Sequence, residues 1–211
     1  VNLSSHFITQ NARQLAKQVT SHADHSPPTP ASPALICFHV GKDAPGLNVL
    51  DAVELCLHDI SGQMAGQSAE VLFLGRYTWE QPQEFAALKK TWQAKNLLLS
   101  AMTVHKAKGL EADFVIVLGN TSGRYGFPSG ITDDPVMRLV LTSPDGYPNA
   151  EERRLLYVAL TRAKRRAYLL ADKKYPSSFV QELSEYDPAL GIELAGEISE
   201  RYRCPLCQGK T

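Results

Sequence analysis

Between Thr103 and Asp113 the chain reads Thr-Val-His-Lys-Ala-Lys-Gly-Leu-Glu-Ala-Asp. The two lysines and the histidine offer donors to a polyanion, Gly109 permits close backbone approach, and Glu111 offers a carboxylate to a sugar hydroxyl. A second stretch, from Asn149 to Lys164, reads Asn-Ala-Glu-Glu-Arg-Arg-Leu-Leu-Tyr-Val-Ala-Leu-Thr-Arg-Ala-Lys. Asn149 followed three residues later by Glu152 has the form of a capping box. Leu155, Val158 and Ala159 make an apolar stripe, and Arg162 falls on the same face one turn on. An arginine so placed needs an anion, because a buried unpaired charge is costly. A phosphate at a domain edge meets that need, as an arginine finger does. From Glu151 to Lys174 there are eight Lys/Arg against three acids, a local excess of +5 inside a chain whose 22 basic and 22 acidic residues cancel.

The elements that must position these groups alternate in type. Apolar, β-rich runs at Ala34–Val40, Ala69–Gly75, Leu98–Val104, Phe114–Leu118 and Arg166–Leu170 predict strands. Helical spacing predicts helices at Gln10–Ser21, Asn48–Gln63, Gln83–Lys95, Ala150–Lys164 and Ser178–Tyr186. Near-continuous apolar strands separated by helices imply an α/β fold with a parallel sheet covered on both faces. In such a sheet the loops after the strands' carboxyl ends handle ligands, which is where the Thr103 stretch falls. Gly119–Pro148, with five glycines and four prolines, predicts a long irregular excursion. The expected division is an N-terminal helix over 1–20, a Pro/Ser-rich linker over 21–33, the α/β domain over 34–186, an acidic linker over 187–203 and a cysteine-bearing end over 204–211.

Composition narrows the classes. The 44% hydrophobic and 21% charged content fits a globular domain, and the neutral total argues against a histone-like nucleic-acid binder. No apolar run approaches the roughly 20 residues needed to span a bilayer. Cys37 and Cys56 sit in apolar contexts as buried thiols, whereas Cys204 and Cys207 form Cys-Pro-Leu-Cys, half of a tetrahedral zinc site. With no export signal and no disulfide framework, the expected location is the cytoplasm. No Gly-x-Gly-x-x-Gly follows the first strand, which argues against a free-standing dinucleotide enzyme. No Gly-x-x-x-x-Gly-Lys-Ser/Thr is present either; Gly209-Lys210-Thr211 mimics its end, but Cys204 stands where its first glycine belongs. The absence of an initiator Met suggests a piece of a longer polypeptide. From Gln181 to Glu200 there are six acids and no Lys or Arg, a stretch expected to repel DNA.

Thr103 to Glu111 resembles motif V of superfamily 1 DNA helicases of the UvrD/Rep type, and Glu151 to Ala163 resembles their motif VI. Val71–Tyr77 is similar to the strand ending in arginine that relatives call motif IVa. The chain also resembles the DNA helicase IV branch, which has a short connection where UvrD carries a large insert. The resemblance implies a RecA-like second motor domain of an ATP-dependent helicase. It implies that Arg162 reaches the γ-phosphate of ATP, that Glu111 bonds the ribose beside Gly109, and that Arg76 is a further phosphate contact. Thr103, His105 and Lys106 would face single-stranded or partly duplex DNA, although Lys106 and Lys108 read equally well as a solvated face. ATP with its Mg would be held mostly by the N-terminal motor domain of the same polypeptide, so this chain alone is expected to hydrolyse nothing. One departure stands out: aligning the Gln10–Val19 helix with the relatives' motif IV places His6 at its tyrosine and Phe7 at its arginine, so either that phosphate contact is lost or the register is a different one. That substitution leaves open a second reading, a degenerate module of the same fold that binds nucleic acid or protein without hydrolysis. Zinc at Cys204 and Cys207 would require ligands beyond Thr211.

Overall fold

The computed structural model describes residues 2–11, 34–41, 47–131, 147–186 and 192–195. In chain order these form α1 (Asn2–Thr9), β1 (Leu35–Val40), α2 (Val49–Met64), β2 (Ala69–Gly75), a 3-10 turn (Thr78–Glu80), α3 (Phe85–Gln93), β3 (Leu97–Thr103), β4 (Ala112–Asn120), α4 (Ala150–Leu160), β5 (Ala163–Asp172), α5 (Ser178–Ser184) and β6 (Ile192–Ala195). The strands make one sheet in the order β3-β2-β4-β5-β1-β6, with every pairing parallel.

Strand side chains alternate between two cores. Ile36, Phe38, Val71, Phe73, Ile116 and Tyr168 face α2 and α3, while Cys37, Leu72, Leu74, Val115, Val117 and Leu169 face α1, α4 and α5. Both faces are therefore dry, which is why the strands read as unbroken apolar runs rather than alternating ones. The expected RecA-like α/β class is the fold observed. Cys37 and Cys56 are buried free thiols; burial pushes Cys37 up to about 12 and Cys56 well above its ordinary value.

Several boundaries differ from the sequence expectation, each for a physical reason. The N-terminal helix is Asn2–Thr9, because Leu3 and Phe7, four apart, pack into the second core; Gln10 and Asn11 form a turn, and the rest of the expected Gln10–Ser21 helix lies outside the described residues. The 21–33 linker also lies outside them. Helix α4 stops at Leu160 instead of Lys164, because Ala163 pairs with Ala112 and draws Lys164-Arg165-Arg166 into β5. There Arg166 turns inward onto Asp59 at 2.9 Å while Lys164 and Arg165 stay exposed. The capping box does not form: Asn149 has φ 53° and makes no side-chain cap, and Glu152 is engaged elsewhere. Within the expected acidic linker, Ile192–Ala195 adds a sixth strand beside β1. Cys204 and Cys207 lie outside the described residues, among which no cluster of three His, Cys, Asp or Glu is placed to hold a metal ion. No helix among the described residues is long and apolar enough to cross a membrane.

Candidate functional site

Because all strands run the same way, the sheet has an amino edge, where strands begin, and a carboxyl edge, where they end. Thr103 closes β3 at the carboxyl edge, paired with Gly75 at the end of β2. The eight residues 104–111 then return to the amino edge, where β4 begins at Ala112. Val104 donates to the Gly75 carbonyl at 2.9 Å, and one tight turn follows, with Ala107 donating to the Thr103 carbonyl at 3.2 Å. Val104 and Ala107 are fully buried in the second core, so the same turn must present His105, Lys106 and Lys108 to solvent. Gly109 has φ +86° with open space around it, a conformation that favours glycine and leaves room for a ligand's approach. Glu111 is exposed beside it.

Motif VI reaches the same amino edge from the other side. Helix α4 runs antiparallel to the strands and delivers Arg162 to its C-terminal end, a favourable place for a cation. The Arg162 guanidinium donates to the carbonyls of Val158 and Leu110, both at 3.0 Å, and to Thr161 Oγ1 at 3.1 Å. The Arg162 carbonyl in turn accepts from Ala112 N–H at 3.0 Å. The neighbouring arginines behave differently: Arg76 pairs with Glu152, Arg153 with Glu182, Arg154 with Glu151, Arg165 with Asp113 and Arg166 with Asp59. Among the described residues no carboxylate pairs with Arg162. Among the described residues its charge is held by neutral oxygens, next to Gly109 and Glu111. A cleft of about 420 Å³, lined by Leu110 and Glu111 together with Lys89 and Gln93, opens at this edge.

Residues 84–174 match the family described as the UvrD-like helicase C-terminal domain. Over those residues the chain carries a UvrD-like helicase C-terminal domain. DNA helicase IV of Escherichia coli (strain K12) is 33% identical over 187 residues, covering 88% of this chain and 24% of that protein. A probable DNA helicase II homolog of Mycoplasma capricolum is 37% identical over 97 residues (41% of this chain, 12% of the relative). The ATP-dependent DNA helicase PcrA of Staphylococcus epidermidis is 31% identical over 97 residues, again 41% of this chain and 12% of the relative. The chain thus spans about a quarter of the length of DNA helicase IV and less of the others.

Within this helicase domain the structure divides the candidate residues into two groups. Gly109, Glu111 and Arg162 meet at the amino edge, while Thr103, His105 and Lys106 leave the carboxyl edge, where a second cleft of about 270 Å³ is lined by Thr103, Lys106, Gly75 and Tyr77. Arg76 belongs with the second group: it follows β2 at the carboxyl edge and is not brought beside Arg162 or Glu111. It forks onto Glu152, with Nε at 3.1 Å from each carboxylate oxygen and Nη2 at 2.9 Å from Oε1, and Glu152 also accepts from Ser129 N–H at 3.0 Å. Phe7 is fully buried in α1, edge-on to Phe179 and under the Arg153 guanidinium at 4.3 Å, a core position in this domain.

Sequence reasoning missed two features at the carboxyl edge. Glu80 folds back so that its carboxylate accepts from Tyr77 N–H at 2.9 Å and rests against Gly75 and Gly119. Burial pushes its carboxyl above the ordinary value, against the opposing pull of the Tyr77 and Arg76 N–H groups and the Arg76 charge. The second is an aromatic cluster of Tyr77, Trp79 and Tyr125. The alternation Arg-Tyr-Thr-Trp after β2 was the available signal for it.

Proposed function

We propose that this chain is the second motor domain of an ATP-dependent DNA helicase or translocase, working against a first motor domain that carries the phosphate-binding loop. The reading is carried by one observation: Arg162 stands at the amino edge with no carboxylate partner among the described residues, hydrogen-bonded to the Leu110 carbonyl of motif V. Neutral acceptors are surrendered at lower cost than a buried carboxylate would be, so Arg162 is ready to exchange them for a phosphate. ATP, with Mg held chiefly by the first domain, supplies the phosphoryl group. Gly109 lets the backbone approach the nucleotide, Glu111 accepts a hydrogen bond from its ribose, and Arg162 neutralises charge that grows on the transferring phosphoryl oxygens. Thr103, His105 and Lys106 contact the backbone of single-stranded DNA at the other edge. Exchange of Leu110 for phosphate on Arg162 releases the turn that carries them, which couples nucleotide state to grip on the strand.

The test is DNA-stimulated ATP hydrolysis by the two-domain polypeptide. Arg162→Ala is expected to lower kcat by about 10³-fold or more, the usual worth of an arginine finger. A variant that retains the parental rate refutes the assignment. The present chain alone is expected to hydrolyse no ATP. A second reading, a non-hydrolysing module of the same fold, rests on Phe7 standing where the resemblance puts a phosphate-contacting arginine; Phe7 is buried within helix Asn2–Thr9. Absence of hydrolysis by the two-domain polypeptide on every DNA tested would decide for it.

A further inference from the structure

The exposed aromatic cluster at the carboxyl edge has a geometry that a solvated loop does not need. Tyr77 and Trp79 stack with ring centroids 4.4 Å apart and planes 8° from parallel. Tyr125, from the loop after β4, stands edge-on to both at 6.0 Å. Trp79 is 65% exposed and Tyr125 54%, whereas Trp92, the other tryptophan, is fully buried. The rings are held in place before any ligand arrives. Glu80 ties down the backbone at Tyr77, the Tyr77 hydroxyl lies 2.9 Å from Ser129 Oγ, and the short 3-10 turn fixes Trp79 between them. Two guanidinium groups border the rings: that of Arg76, paired with Glu152, lies 5.2 Å from the Tyr77 ring, and that of Arg124 lies 5.6 Å from Tyr125. Tyr77 also lines the same cleft as Thr103 and Lys106.

We infer that Tyr77, Trp79 and Tyr125 form a stacking platform for bases of single-stranded DNA, with Arg124 and Lys106 flanking it toward the phosphates. Flat, exposed, immobilised rings bordered by positive charge match a strand whose bases present π-faces and whose backbone is anionic. An apolar protein partner would gain nothing from the flanking guanidinium groups, which favours the nucleic acid. Trp79 and Tyr125 lie outside the motif segments, so this assigns base contacts to residues that the motifs do not include. The inference rests on the DNA reading of this edge given above.

The chain contains two tryptophans, and Trp92 is sealed in the core, so a change in intrinsic fluorescence on adding DNA reports Trp79. The test compares an oligothymidylate with an abasic oligomer of equal length and charge, at low salt, by tryptophan fluorescence and by anisotropy of the labelled oligomers. The oligothymidylate is expected to quench Trp79 and the abasic oligomer to leave it unchanged. Trp79→Ala is expected to weaken oligothymidylate binding by about tenfold and to leave abasic binding as it was. Trp79→Phe keeps a ring and should restore most of the affinity, and Tyr125→Ala should weaken it by a smaller factor. Equal quenching by the abasic oligomer, or unchanged oligothymidylate affinity in Trp79→Ala, overturns the platform. If Lys106→Ala still weakens binding in that case, DNA binding at this edge survives without the platform. If the unmodified chain binds neither oligomer, the platform and the DNA reading fall together.

Discussion

Arg76 can be a ligand contact or a strap, and the Arg76–Glu152 pair decides which. The pair makes three N–H···O contacts at 2.9–3.1 Å, with side-chain exposures of 21% and 12%. Burial disfavours the Arg76 charge, yet the Glu152 hydrogen bonds and charge more than offset this and raise its affinity for the proton. Breaking a fully buried pair from one side costs about 3–5 kcal/mol, and an exposed pair about 0–1 kcal/mol. A pair largely but not wholly covered falls between, so Arg76→Ala should cost about 2 kcal/mol. Glu152→Ala also strips the acceptor from Ser129 N–H, adding about 1 kcal/mol. The double variant should then cost about 3 kcal/mol rather than 5, a coupling of about 2 kcal/mol. Urea unfolding of the four proteins measures this as shifts in midpoint at constant slope. If each single variant stays within about 0.5 kcal/mol of the parent and the two add, the strap is refuted.

Two further outcomes follow from groups that hold the two edges. A Cβ at Gly119 (φ +67°) would stand 1.9 Å from Glu80 Oε1, so Gly119→Ala should cost about 2 kcal/mol or more in thermal or urea unfolding. Part of that cost should disappear in a Glu80→Ala background, where only the backbone strain remains; equal costs in both backgrounds would rule out the clash. Glu182, which ties α4 to α5, is pushed up by burial, but hydrogen bonds from Arg153 and Tyr186 and the Arg153 charge outweigh this and hold its carboxyl below 4.5. Its folded value is thus below its unfolded one, so its stabilisation is present above about 4.5 and is lost as pH falls through the folded value. The urea midpoint should therefore drop more steeply below about pH 4.5 in the parent than in Glu182→Gln, and parallel pH profiles would contradict the assignment.

The sheet was legible because its strands bury both faces, leaving short unbroken apolar runs such as Val71–Leu74 and Phe114–Leu118. Motifs V and VI were legible because their residue types are dense in one stretch each. Contacts between distant residues were not. Asn149 and Glu152 satisfy the capping pattern, but Arg76, 76 positions away, and Ser129 take the Glu152 carboxylate, because a charged fork outcompetes a neutral cap. Arg153 lies on α4 and Arg162 just past its end, and it is Arg153 that turns fully inward, since Glu182 and the rings of Phe7 and Phe179 await it there. Helical periodicity alone could not tell the two apart. Likewise the end of α4 is set by the pairing of Ala163 with Ala112, a contact invisible to local propensity.

That pairing has a mechanical consequence. The two edges are joined along the chain by segment 104–111 and by helix α4, and both meet at one hydrogen-bonded junction. There Ala112 N–H donates to the Arg162 carbonyl while the Arg162 guanidinium donates to the Leu110 carbonyl. At the far edge the same two elements meet Gly75 and Arg76, through Val104 N–H and through Glu152. The result is a closed loop of contacts around the second core, with buried anchors at Val104 and Ala107 and an open, left-handed point at Gly109. If a ligand draws Arg162 away from Leu110, as proposed above, the change enters beside Gly109, and along the chain the turn bearing His105 and Lys106 lies between that point and the contact with Gly75. On the proposed coupling, loosening the Arg76–Glu152 strap should therefore change how much of such a displacement the carboxyl edge takes up as motion of that turn.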